Sequence, residues 1–263
     1  MRGNVTLEND YAVALRKLTR EMAQAVTREV THVMQSQEAN EFFAQDSIVE
    51  DVATILDTIT RRFEKRFGER AEPTAEKYIG RADKASTTKV KTSILSEIGE
   101  RFTMAAIEPT GKVGQILKAQ IAESVDLIKS IPAQYLEKVR GAVMRSITTG
   151  NGLQTLVPAL AKLNGESMRR ARNIAKDQTR KAYNNLNKAR VEAAGVKAFE
   201  WIHSGGANEP RPLHLNTLDG KIFRFDDLPV IDENTGERGI PGQLPNCGCT
   251  MRPVFIFDDE NEG

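Results

Sequence analysis

Apolar residues recur at three- and four-residue steps as far as about residue 195, which is the period of helices that bury one face. The first stripe predicts a helix over about 10–36. The second predicts a helix over 48–67 that ends at Gly68. The two stripes consist of Tyr11, Leu15, Leu18, Met22, Val26, Val30 and Val33, and of Ile48, Val52, Ile55, Ile59, Phe63 and Phe67. We interpret both stripes as faces that pack into a helical core.

Helix signals continue beyond the second stripe. Pro73 is typical of the first position of a helix, and Ser130 is typical of an N-cap, with Pro132 just inside the helix that follows. The segment TTGNG at 148–152 predicts a break in the helical run. The predicted helices of this part cover 113–129, 131–147, 153–163 and 165–195, and the last of them ends at Gly195.

The hydrophobic period changes at Lys197. The segments AFEWIHSGG, GKIFRFDD and RPVFIF alternate apolar and polar residues as half-buried strands do, and Gly and Pro crowd the segments between them. The sequence therefore predicts an α+β protein, with a long helical N-terminal part followed by a small β-containing C-terminal module. We divide the chain into a helical, partner-binding region at 1–130, a helical region at 131–196 and a β-containing module at 197–263.

Composition excludes several classes of protein. The chain has 263 residues with 40% hydrophobic residues, enough to form buried cores. Its formal net charge of +1 gives no global attraction to nucleic acid or to an anionic membrane. It shows neither a signal-peptide pattern nor an apolar stretch of spanning length, so we expect a soluble product of a cytoplasm. Two cysteines do not form a disulfide framework.

The two cysteines stand one residue apart in PGQLPNCGCTMRPVF, close to two of the three histidines. Imidazole and thiolate are ligands that Zn²⁺ prefers, and structural sites take four of them. The candidate ligands are His203, His214, Cys247 and Cys249. We predict a zinc ion that fixes a module too small to be stable by burial alone. The alternative is a histidine that faces solvent, a hydrogen-bonded histidine and two thiols in a turn.

An enzymatic arrangement is also conceivable around EPRPLHLNTLDG. His214 has the chemistry of a general base, Asp219 or Glu209 of its orienting group, and Arg211 of an anion ligand. These residues have equally common structural roles, and Asp219-Gly220 is typical of a turn. Because no hydrolytic or phosphate-binding motif accompanies them, we predict a protein without catalytic activity. The segment IDENTGERG predicts a hairpin tip rather than a calcium loop.

Five elements in order resemble one known family. They are the helix RRARNIAKDQTRKAYNNLNKAR, a glycine after it, a strand that carries Trp201, the run PRPLHLNTLDGKIF and the run PNCGCTMRPVF. Together they resemble the phage Mu F-type minor head proteins, which are head morphogenesis proteins of tailed phages. The resemblance covers about 131–257. This chain departs from the family where Gln178 stands in place of an acidic residue, and where ANEP leaves Glu209 as the carboxylate before Arg211.

The resemblance implies a structural role in the virion. It implies a low-copy minor head protein that is made in the bacterial host cytoplasm and incorporated at the portal vertex during procapsid assembly, inside the capsid and with a link to DNA packaging or ejection. The implied partners are the phage portal protein and scaffold or major capsid proteins. Contact with DNA is a further possibility that rests on RRARNIAK, Lys181, Lys188 and Arg190. The alternative function is a metal-dependent hydrolase or nuclease that acts during DNA entry, with His214, Asp219 and the cysteines around the metal.

Overall fold

Four long helices and five short strands make up the computed structural model, which describes residues 5–38, 45–98, 111–203 and 211–255. The helices are α1 (Val5–Glu38), α2 (Gln45–Ile98), α3 (Gly111–Thr148) and α4 (Gly152–Ala193). The strands are β1 (Ala198–Ile202), β2 (Ile222–Arg224), β3 (Val230–Asp232), β4 (Glu237–Arg238) and β5 (Thr250–Val254). A π-helical segment, Leu213–Leu218, lies between β1 and β2. The predicted α+β class is confirmed.

The chain divides by packing into two compact units. We call Asn9–Ala75 with Ala122–Ala175 the helical unit. We call Met1–Glu8, Glu76–Ile121 and Lys176–Gly263 the mixed unit. Each unit takes stretches from several helices, so the packing division follows no single stretch of sequence. The division at 130 and 196 rests on hydrophobic period and family resemblance, and it stays a prediction.

The helical unit is a bundle whose core consists of the predicted stripes. Tyr11, Met22 and Val26 of α1 are buried, as are Ile59 and Phe63 of α2. Side chains on neighbouring helices join in antiparallel order: Arg62 and Arg66 of α2 pair with Glu29 and Glu21 of α1. On the other pair of helices, Tyr135 donates a hydrogen bond to Asn164, and Lys138 pairs with Glu166. The predicted packing of the stripes is confirmed.

Four predicted helix boundaries are wrong, and two of them lie in α2. The helix α2 continues through Gly68 and Pro73, because Phe67, Ala71 and Ala75 extend its buried face across both. One interior Gly costs about 1 kcal/mol and one interior Pro about 3 kcal/mol, which the packing of a continuous face offsets.

The predicted boundaries at Ser130 and near 164 fail for the same reason. The Ser130 hydroxyl donates to the Leu127 carbonyl at 2.7 Å within α3, so it is not an N-cap, and Ile128 and Ile131 are both buried. Helix α4 likewise runs unbroken from Gly152. The breaks at 148–152 and at Gly195 are confirmed, since Gly195 has φ +81°.

A three-stranded antiparallel sheet in the order β2-β1-β5 organises the strands of the mixed unit. Trp201 of β1 pairs with Met251 of β5, and Phe199 pairs with Phe223 of β2. The strands β3 and β4 form a separate hairpin, as IDENTGERG predicts. One apolar cluster lies beside the sheet, and its buried members are Phe199, Trp201, Leu218, Ile231, Ile240, Leu244, Cys247, Cys249 and Met251. Both cysteines are therefore core residues.

Candidate metal centre

His214 is placed by the π-helical segment and oriented by a strand. Its side chain is buried, with 3% of its surface exposed. Its Nε2 atom lies 2.9 Å from the backbone oxygen of Ile231 in β3. A carbonyl oxygen only accepts hydrogen bonds, so Nε2 carries the proton. The lone pair of the neutral ring is therefore on Nδ1, the nitrogen that faces the two cysteines.

The two thiols converge on that nitrogen. The Sγ atoms of Cys247 and Cys249 lie 3.5 and 3.8 Å from Nδ1 of His214. All three ligand atoms lie within 4.8 Å of one another. Bond lengths of about 2.3 Å to sulfur and 2.0–2.1 Å to nitrogen place the ligand atoms of a tetrahedral zinc site about 3.5 Å apart. The three residues form a group that has the ligand types and the spacing of a metal site.

Two consecutive turns explain why this segment is rich in Pro, Gly and Asn. The Gln243 N–H donates to Ile240 at 3.4 Å, and the Cys247 N–H donates to Leu244 at 3.1 Å. In each turn a proline in second position precedes a residue with positive φ, namely Gly242 at +81° and Asn246 at +59°. This is the pattern of a type II turn. The second turn delivers Cys247 directly into the site.

The local environment favours a thiolate at Cys247. The hydrogen bond with Cys249 lowers the pKa of the Cys247 thiol, burial opposes that shift, and the hydrogen bond with His214 lowers the pKa further. Burial lowers the pKa of His214, but its hydrogen bonds with Cys247 and Ile231 raise the pKa, and the net direction is upward. A thiolate is the form of cysteine that binds a metal, so Cys247 is prepared as a ligand, whereas His214 binds a metal through Nδ1 only when that nitrogen carries no proton.

His203 is not brought into this group. The group of described His, Cys, Asp and Glu residues contains only His214 and the two cysteines. The backbone N–H of His203 instead donates to Oδ1 of Asp219 at 2.7 Å, which fastens the end of β1 to the end of the π-helical segment. Asp219 is thereby used in a structural contact and also lies outside the group. The alternative orienting residue Glu209 lies outside the described residues.

The other residues singled out in the sequence surround the site. The Trp201 ring meets the His214 ring edge to face, with centroids 5.1 Å apart. Gly220 has φ +74° and donates its N–H to the Trp201 carbonyl at 2.9 Å. A guanidinium nitrogen of Arg211 donates to the Pro245 carbonyl at 3.1 Å. Trp201, Arg211 and Gly220 thus hold the ligand residue His214 and the cysteine turns in place.

Two residues of the site, both on α4, are not predicted from the sequence. Oδ1 of Asp177 accepts a hydrogen bond from the Asn246 N–H at 2.7 Å, and Nδ2 of Asn184 donates to the Cys249 carbonyl at 3.3 Å. The sequence relates these two residues through their separation of seven positions, which places both on one helix face. The sequence does not show what that face contacts.

Part of the basic character of α4 is neutralised inside the mixed unit. Arg180 binds both carboxylate oxygens of Glu8, at 2.7 and 2.9 Å. The fully buried Arg190 pairs with Asp83 and also donates to Ser86 at 2.7 Å. Arg190 is one of the residues that suggested contact with DNA, and its charge serves an internal ion pair instead.

The fold and the buried Cys₂His group define an α+β protein with a candidate metal centre. Residues 137–252 match the family model described as Phage Mu protein F like protein. The match contains α4, His214 and both cysteines, and it confirms the family resemblance predicted from the sequence.

One curated relative is an uncharacterized protein of Haemophilus influenzae. It is 29% identical over 251 residues, which cover 94% of this chain and 53% of that protein. The chain therefore spans about half the length of the curated relative it matches. No solved structure matches the chain. Among the described residues, none of the helices is long and apolar enough to cross a membrane.

Proposed function

We propose that this chain is a minor head protein of a tailed bacteriophage, which acts in procapsid assembly at the portal vertex and in DNA packaging or ejection. The observation that carries the proposal is the family match over 137–252, because it includes α4, most of the sheet and the candidate metal centre together. The proposed location is the capsid interior near the portal. The proposed partners are the portal protein and the scaffold or major capsid protein.

The region proposed to bind the portal is 1–130. Its apolar stripes motivated that assignment, but the structure uses them for the core of the helical unit: Tyr11, Met22 and Phe63 are all buried. An association surface in this region must therefore consist of outward-facing residues. Val13 of α1 is the candidate, since 64% of its surface is exposed.

Co-expression of the full chain with a portal protein encoded in the same genome tests this assignment. We expect Val13→Glu to reduce capture of the portal at least severalfold. Val157→Glu is the matched control, because Val157 is also an exposed helical valine, at 47%, but lies outside 1–130. Equal capture by both variants and the unchanged chain would exclude Val13 from the interface. Absence of capture by the unchanged chain would refute the portal assignment itself.

We propose further that His214, Cys247 and Cys249 hold Zn²⁺ in a structural site. Two thiolates balance the charge of the ion, and the neutral imidazole adds no charge to the buried site. Zinc bound there would link the π-helical segment to the cysteine turns. The reason for such a link differs from the predicted one. The β-containing module is not an isolated small domain, since Phe225 packs against Val191 and Val90 of α4 and α2.

Elemental analysis of the purified full chain tests the zinc proposal. We expect about one zinc per chain and its loss in Cys247→Ser. His203→Ala is the matched control, because the structure leaves this histidine outside the ligand group, and we expect it to retain the metal. Protein purified without metal that also fails to bind added zinc would refute the proposal. Loss of zinc in His203→Ala would show that His203 is a zinc ligand.

The second candidate function is a metal-dependent hydrolase or nuclease. The observation that favours it is the number of ligands: the described residues supply three, and catalytic zinc sites typically have three protein ligands and one open position. Against it, the ligands belong to an apolar cluster, and only 3–5% of each ligand residue is exposed. Incubation with duplex and single-stranded DNA and divalent metals distinguishes the two. Cleavage that is abolished by His214→Ala would favour the enzyme.

A further inference from the structure

Two side chains of opposite charge hold the two ends of one peptide group next to the metal centre. The Asn246 N–H donates to the Asp177 carboxylate at 2.7 Å. The Pro245 carbonyl accepts from the Arg211 guanidinium at 3.1 Å. The carbonyl of residue 245 and the N–H of residue 246 belong to the same planar peptide unit. This is the central peptide of the Leu244–Cys247 turn.

The orientation of a central peptide is what distinguishes the two common kinds of β-turn. Types I and II differ by about half a turn of this group, and both accept proline in second position. Pro245 therefore does not decide between them. Type II requires a left-handed third residue, and Asn246, with φ +59°, is the non-glycine residue with positive φ among the described residues. Asparagine adopts that conformation more readily than other non-glycine residues, but it still does so less freely than glycine, so contacts that favour the type II orientation add to the stability of the turn.

We infer that Asp177 and Arg211 are positioning residues that fix this peptide in one orientation and thereby set the direction from which Cys247 enters the metal centre. Reversal of the peptide would turn its carbonyl toward the Asp177 carboxylate and its N–H toward the Arg211 guanidinium. Both contacts would then be repulsive. The pair of charges thus selects the orientation as well as stabilising it.

The direction of Cys247 matters because the ligand atoms must meet closely. Its Sγ lies 3.5 Å from Nδ1 of His214, near the separation of about 3.5 Å expected in a tetrahedral zinc site. Cys247 follows Asn246 directly, so rotation of the preceding peptide would redirect its side chain. Arg211 lies three residues before His214 and just ahead of the π-helical segment, so one short stretch of chain supplies both a ligand and one of the two side chains that hold the peptide.

The Asn184 bond completes the support of the second cysteine. Its amide donates to the Cys249 carbonyl at 3.3 Å from the same face of α4 that carries Asp177. The cysteine turn is consequently fixed before and after the two thiols. Groups that orient metal ligands without touching the metal typically change metal affinity by about 10- to 100-fold when they are removed. The inference rests on the proposed zinc site. The experiments therefore distinguish failure of the zinc site from failure of the positioning role.

Two measurements test the positioning role of Asp177 and Arg211. They are zinc competition titrations of the full chain and the absorption spectrum of the Co²⁺-loaded chain. We expect Asp177→Ala to weaken zinc binding about 10- to 100-fold and to change the cobalt spectrum. Arg211→Ala removes an exposed side chain, so the fold is kept, and we expect a smaller loss in the same direction. Asp126→Ala is the control, an exposed carboxylate on α3, and should bind zinc as the unchanged chain does.

Asn246→Gly, combined with Asp177→Ala, distinguishes the proposed positioning role from a general structural role of Asp177. If Asp177 had only a general structural role, the change at Asn246 would not restore zinc affinity. Glycine adopts positive φ without a steric penalty, so the change should recover most of the zinc affinity of Asp177→Ala. Absence of that recovery would overturn the inference. Asp177→Ala and Arg211→Ala with unchanged affinity and unchanged cobalt spectrum would also overturn it. If the unchanged chain binds neither metal, the zinc proposal fails instead.

Discussion

The helical unit and the mixed unit are stabilised in different ways. In the helical unit long apolar stripes form the core, and its charged pairs lie at the surface: in the Arg140–Asp57 pair the side chains are 42% and 58% exposed. In the mixed unit charges and polar groups reach the interior, as Arg190 does with no exposed side-chain surface. Both units have apolar cores, but the mixed unit adds a fully buried charge whose placement matters individually.

The largest expected effect compares a buried and an exposed ion pair. Arg190→Met should lower the free energy of unfolding of the mixed unit by about 3–5 kcal/mol, because Asp83 would keep a largely buried charge without its partner. Arg140→Met is the matched change in the helical unit and should cost less than about 1 kcal/mol. Chemical denaturation measures both. Equal losses would show that the two units do not differ in this way.

Metal removal should separate the units more directly. With free zinc at 100 times its dissociation constant, binding stabilises the folded state by about 2.7 kcal/mol. We expect a chelator to remove this contribution from the mixed unit, which contains the three ligands, and to leave the helical unit unchanged. Hydrogen exchange of backbone amides, read separately for each unit, measures the difference. Equal loss of protection in both units would contradict a local role of the metal.

Glycine replacement should have opposite signs in the two units. Gly242→Ala places a Cβ 2.2 Å from Nδ2 of Asn184 at a backbone φ of +81°, so we expect a loss of about 2 kcal/mol and weaker zinc binding. Gly68→Ala meets nothing within 4 Å inside α2 and should stabilise the helical unit by up to about 1 kcal/mol. Thermal unfolding measures both changes. A stabilising Gly242→Ala would refute the close approach of Asn184.

The smallest effect concerns a polar link within the helical unit. Tyr135 donates to Asn164 at 2.5 Å, and Tyr135→Phe should cost about 1 kcal/mol. Burial also raises the pKa of Tyr135. Because the folded pKa lies above the unfolded value of about 10, this group's contribution is complete below pH 10 and is lost as pH rises further. Unfolding curves recorded above and below pH 10 measure this loss of stability. The same decline in Tyr135→Phe would show that another group causes it.

The two regions also differ in how far the sequence alone specifies them. Several features are local properties of the chain. They are the helical and strand periods, the breaks at 148–152 and Gly195, the ligand types at His214, Cys247 and Cys249, and the two proline turns. Each depends on residues a few positions apart, so the chain shows them without its fold. The helix ends predicted at Gly68 and Ser130 fail because burial of a continuous face outweighs a local stop signal.

Only the tertiary structure decides which side chains meet at the metal centre. His214 lies 33 and 35 residues from the two cysteines along the chain, and Asp177 lies 69 residues from Asn246. No local period relates such positions. Pairing of β1 with β5 brings the cysteine turns to the π-helical segment and α4. The same pairing leaves His203 at the end of β1, where Asp219 binds its backbone. The ligand types belong to the sequence, but the choice among them depends on contacts that form only when the chain has folded.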